Sequence, residues 1–118
     1  MAAELWGRDE MGLREAGVGA LRELLVGTSP VRGLEERPIE VRGADVAERL
    51  VRFLANVLYL YDTERFLPAH AGPAGVLGER FDPRRHTALR EVKAVTYHGA
   101  EIRRDPDDGL RTTIVFDV

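Results

Sequence analysis

Apolar residues recur along the chain with two spacings, and each spacing marks its own kind of element. Val46, Leu50, Phe53, Leu54, Val57, Leu58 and Tyr61 share one broad face, which predicts an amphipathic helix of about four turns. Asp45, with Glu48 three residues on, supplies a capping-box-like start in which Asp replaces the usual Ser or Thr. This helix is expected to end near Thr63 or Glu64. A weaker helix follows Asp9, where Leu13, Ala16, Ala20, Leu21, Leu24 and Leu25 recur at the same spacing. Gly12, Gly17 and Gly19 each lower its intrinsic stability by about 1 kcal/mol relative to Ala, while letting it lie close against a sheet. Gly27-Thr28-Ser29-Pro30 stops it.

Period-two patterns mark the strands. Ala2 to Gly7 reads as the end of a strand. Leu34 to Val41 reads as another, with Ile39 and Val41 on one face and Pro38 indicating a sheet edge. Phe66 to Gly78, with two prolines and three glycines, predicts one or two short strands joined by a loose turn. Phe81 to His86 reads as a connection. Glu91 to His98 is rich in β-branched residues, and alternation places Glu91, Lys93, Val95 and Tyr97 on one face. Ile102 begins a further strand, and Asp105 to Gly109 forms a turn. Leu110 to Val118 is the last strand, with Leu110, Thr112, Ile114 and Phe116 opposing Arg111, Thr113, Val115 and Asp117. Two helices against a mostly antiparallel sheet predict an α+β sandwich of two layers, built as one domain over residues 1–118.

Composition narrows the classes of function. A chain of 118 residues buries roughly two-thirds of its unfolded surface around a single core. With 44% apolar and 31% charged residues it reads as globular, not disordered. Seventeen basic residues against 20 acidic ones leave a net charge of −3, which argues against a free-standing nucleic-acid binder. Cysteine is absent, which removes disulfides, thiolate metal sites and cysteine nucleophiles. The longest apolar run, Val57 to Tyr61, is too short to span a bilayer, and no basic segment followed by an apolar run opens the chain. The expected compartment is the cytoplasm, with no membrane partner. Of the 17 basic residues 16 are arginine, and Lys93 is the only lysine.

Few residues offer chemistry. His70, His86 and His98 show no i, i+4 pairing, so zinc has little support and each is read as structural or surface. His86 and His98 flank the same expected strand and can converge in space. Asp105 to Gly109 fails as an EF-hand loop, since Gly109 falls at the fifth position and Phe116 at the twelfth. No Gly-x-Ser-x-Gly setting or phosphate-cradling loop occurs, and the only serine, Ser29, precedes a proline. Glu91 and Lys93 form either a surface ion pair or a grip on a common ligand. Asp117, beside the terminal carboxylate of Val118, gathers oxygen donors suited to a hard cation.

Four motifs in order carry a resemblance. Leu58-Tyr-Leu-Tyr-Asp-Thr-Glu64, Gly78-Glu-Arg-Phe-Asp-Pro-Arg-Arg-His86, Glu91-Val-Lys-Ala-Val-Thr-Tyr-His98 and Val115-Phe-Asp-Val118 are similar to archease. The likeness runs from Trp6-Gly7 to the C-terminus, and the run from Glu91 to His98 is its most specific part. It implies a strand-helix-strand-strand module and a small cytoplasmic accessory protein of the RtcB-type RNA ligase. Such a protein is not itself an enzyme. It promotes guanylylation and turnover of a ligase that joins RNA ends in tRNA splicing and RNA repair, and it meets RNA only indirectly.

The resemblance also implies a divalent cation, calcium in some members, with magnesium or manganese as alternatives. Its ligands in the family are an aspartate of a His-Thr-Ala-Asp motif, which would lie before Met1, and the last two residues. Asp117 and Val118 match the second part, the first has no counterpart in this sequence, and the metal site is expected to be incomplete. Asp9 belongs to a later loop and does not fill the gap. Ala55-Asn56 stands where the family has Asn-Glu, and Leu67 to Val76 is short for the hairpin found there. Lys93, with Glu91 and His98 in support, is expected to act on the ligase. The negative net charge suits a basic protein partner. An interaction module that has lost activation, and a metal-dependent hydrolase, are the competing readings.

Overall fold

A computed structural model describes residues 1–97, 102–105 and 109–118. Along the chain run β1 (Ala2–Gly7), α1 (Glu10–Val26), β2 (Glu35–Pro38), α2 (Val46–Glu64), β3 (Phe66–Ala71) and β4 (Gly75–Arg80). Then follow β5 (Ala94–Thr96), β6 (Arg103–Asp105) and β7 (Gly109–Asp117). The α+β class holds, with every strand pair antiparallel. The strands form two sheets, however, and not the single one expected. One has the order β1-β7-β5 with β6 also on β7, and the other the order β2-β4-β3. The unit β2-α2-β3-β4 is the strand-helix-strand-strand module, with β2 returning beside β4.

Both helices start as the sequence predicts. The Asp9 carboxylate accepts the Gly12 N–H at 2.9 Å, satisfying one of the orphan donors of the first turn of α1. In α2 the Asp45 carboxylate accepts the Glu48 N–H at 2.8 Å, while the Glu48 carboxylate accepts the Ala44 N–H at 2.7 Å. The α2 face of Leu50, Phe53, Leu54, Val57, Leu58 and Tyr61 is buried. Gly17 brings α1 close to α2 and not to a sheet, since a Cβ there would lie 2.8 Å from Leu54 Cδ1. The helices tie the two sheets together, α1 packing on β1 and β3 and α2 on β3 and β5.

The last strand alternates as expected: Leu110, Thr112, Ile114 and Phe116 point inward, and Ile114 and Phe116 are completely buried. At its start Asp105 faces Gly109 across the β6–β7 pair, and residues 106–108 of the turn lie outside the described residues. Strand β2 is an edge, as Pro38 indicates, but it stops at that proline. Ile39 is therefore buried while Val41 is exposed, and the two do not share a face. No helix among the described residues is long and apolar enough to cross a membrane.

Candidate functional site

The chemistry-bearing residues converge where β5 meets the end of β7. Ala94 faces Asp117 in the β5–β7 register, and the Lys93 N–H donates to the carbonyl of the same Asp117 at 2.6 Å. Two consecutive residues thus oppose one on β7, the arrangement of a β-bulge, which re-aims side chains at a strand end. The extra residue shifts the phase of the strand. Val92 and Val95, three apart, are both buried, while Glu91, Lys93 and Tyr97 are exposed. The expected single face of Glu91, Lys93, Val95 and Tyr97 is therefore corrected: Val95 turns into the core, and the regular strand is limited to Ala94–Thr96.

Lys93, Asp117 and Val118 are brought together at an open sheet end, with Val118 48% exposed. Glu91 stands on the outer side of the same segment, two residues away. Among the described residues none of Glu91, Lys93 and Asp117 takes part in an ion pair, so the surface pair weighed for Glu91 and Lys93 is not formed. His98 lies outside the described residues, and with it the suggested meeting of His86 and His98. Among the described residues the free charges of this segment and strand end are the Lys93 ammonium, the Glu91 and Asp117 carboxylates and the chain terminus.

Two carboxylates do not close a cation site. Among the described residues no three His, Asp or Glu side chains gather closely enough to hold a metal ion. The residues present therefore do not fit the implied cation by themselves. Their neighbourhood is nevertheless defined: Met1 and Phe116 exchange both backbone hydrogen bonds, at 2.8 and 2.7 Å. That register puts the position preceding Met1 across from Asp117.

Sequence reasoning missed a buried cluster that ties the 81–87 connection to the loop after α1. Glu79, at the end of β4, is 5% exposed and accepts the Arg32 N–H at 2.6 Å and the Arg85 guanidinium. Burial pushes its carboxyl up, but the hydrogen bonds from Arg85 and from the Arg32 backbone outweigh burial and hold it below the usual carboxylate range. His86 is buried beside it. The Asp82 N–H donates to its Nδ1 at 2.9 Å, which assigns the proton to Nε2, facing the Pro30 carbonyl at 3.1 Å. His86 is thus a structural histidine that staples the 81–87 connection to the loop after α1. His70 is an exposed partner of Glu15 at 2.9 Å. Both match the structural or surface reading.

Fold and site together define a small α+β protein with uncommitted charges at an open sheet end and a separate buried ionic staple around Glu79. The comparisons with known proteins agree in kind. The sequence matches the Archease protein family over residues 1–118, and the chain belongs to that family. It is 33% identical over 116 residues to the protein named Protein archease of Pyrococcus furiosus, an alignment covering 88% of this chain and 82% of that one. The protein of the same name from Sulfurisphaera tokodaii is 30% identical over 122 residues, covering 93% and 86%. That from Methanosarcina barkeri is 24% identical over 128 residues, covering 98% and 87%.

Proposed function

We propose that this chain acts in the cytoplasm as an activator of an RtcB-type RNA ligase, promoting guanylylation and turnover of the ligase without catalysing ligation itself. Membership of the archease family supports an archease-like role. The observation that carries the reading further is the bulge at Lys93, which sets the only lysine of the chain on the carbonyl of Asp117 at an open surface. An ammonium held at a strand end neutralises phosphate or carboxylate charge presented by a partner. Asp117 and the Val118 terminus offer the opposite sign beside it. A net charge of −3 favours approach to a basic protein surface. No step is assigned to a metal.

The test is the rate of guanylylation of a purified RtcB-type ligase with this chain added at substoichiometric amounts. Acceleration supports the reading. The 118 residues are compared with the same chain extended by His-Thr-Ala-Asp before Met1, which places an aspartate across from Asp117. Calcium binding and stronger acceleration by the extended form alone assign the divalent cation to that strand end. Ligase binding without acceleration by either form supports the interaction-module reading instead.

A further inference from the structure

A cleft of about 360 Å3 lies between the end of α2 and the segment that leads to Lys93. Tyr61, Asp62 and Arg65 line one wall, and Leu89, Arg90 and Glu91 are among the lining residues of the other. Arg65 ends α2 in the left-handed region, at φ 56° and ψ 33°, a position that favours Gly. Its N–H reaches the Leu60 and Tyr61 carbonyls, closing off the partially negative helix end. The guanidinium lies over the Tyr61 ring, 5.0 Å from its centroid. Among the described residues neither Arg65 nor Arg90 has a carboxylate partner, although Asp62 and Glu91 line the same cleft. Arg37, Arg49 and Arg85, by contrast, are paired with carboxylates.

Two uncommitted guanidiniums and two uncommitted carboxylates in one cleft of ligand size ask for a ligand with an anionic end and a hydrogen-bond-donating body. A guanidinium backed by an aromatic ring also offers a flat cationic platform on which a nucleobase stacks. We propose that this cleft binds a nucleoside 5′-monophosphate group, either as a free nucleotide or as the 5′-phosphorylated end of an RNA strand. Arg90 takes the phosphate, Arg65 stacks against the base, and Asp62 and Glu91 accept from ribose hydroxyls. The site shares Glu91 with the segment of Lys93 but includes neither Lys93 nor Asp117, and it does not depend on the ligase reading, since binding is measured with this chain alone.

The experiment is an NMR titration of the full chain with AMP, with adenosine and with inorganic phosphate, followed by a 5′-phosphorylated RNA dinucleotide. AMP is expected to shift the amides of residues 61–65 and 88–92, with adenosine and phosphate each at least about tenfold weaker. Arg65→Gly and Arg90→Gln are each expected to weaken AMP by about tenfold. Glycine suits the left-handed backbone at position 65, so that variant keeps the fold while removing the guanidinium. Tighter binding of the dinucleotide identifies an RNA end as the source, and equal binding a free nucleotide. No shift at these amides, AMP binding undiminished in both variants, or phosphate alone binding as well as AMP overturns the proposal.

Discussion

Replacing Glu79 by Gln tests how the 81–87 connection is held against the loop after α1. The residue is 5% exposed, and its carboxylate answers the Arg85 guanidinium and the Arg32 N–H. Gln keeps the volume and one acceptor oxygen but loses the charge. A hydrogen bond to a charged group contributes about 1.5–3 kcal/mol, and the partial exposure of Arg85 together with the wide exposure of the Arg32 guanidinium argues for the lower part of that range. The expected loss is about 2 kcal/mol. An unfolding entropy of about 2.1 cal/mol/K per residue over 118 residues converts this to a Tm lower by about 8 °C.

The pH dependence has a definite sign. Because the folded carboxyl is held below its unfolded value, its contribution is fully present above an unfolded pKa of about 4.3 and is lost as pH falls through the lower folded value. Thermal melts followed by circular dichroism should show the full gap between Glu79→Gln and the parent at pH 7, and a narrowing gap below about pH 4. Equal Tm values at pH 7, or a gap that widens on acidification, refute the reasoning.

Two further substitutions probe the scaffold. Gly78→Ala drives a methyl into the Leu67 backbone carbonyl across the β3–β4 pair, so a loss of about 3 kcal/mol or more is expected in chemical denaturation. An unchanged midpoint would contradict that register. Asp45→Ala removes the N-cap of α2 and should lower stability by about 1 kcal/mol, while Asp45→Asn, which keeps the acceptor, should lower it by much less.

Parts of this molecule follow directly from local pattern. Helix α2 and strand β7 do, because capping, periodicity and burial all agree along their lengths. The segment from Glu91 to Tyr97 does not, since alternation carries no mark of an inserted residue. The bulge comes from Lys93 and Ala94 both facing Asp117, a pairing 24 and 23 positions distant in the chain. The division into two sheets is hidden for the same reason, as partner choice between strands is non-local. Phe81 to His86 reads as a connection, and nothing local marks Glu79 for burial, because carboxylates are mostly exposed. The burial of Glu79 and His86 depends on Arg32 and Pro30 in the loop after α1, to which the chain returns only after α2. Lys93 stood out through its rarity and its place in the archease-like run from Glu91 to His98, whereas the unpaired state of Arg65 and Arg90 is a property of the folded surface.

The account rests on Lys93 acting at the β5–β7 end on a ligase partner. The most direct measurement is the single-turnover guanylylation rate of an RtcB-type ligase with the parent chain and with Lys93→Met, at equal Tm of the two proteins. The account predicts acceleration by the parent and loss of most of it in the variant. Equal acceleration by both, or none by the parent even when extended by His-Thr-Ala-Asp, would contradict it.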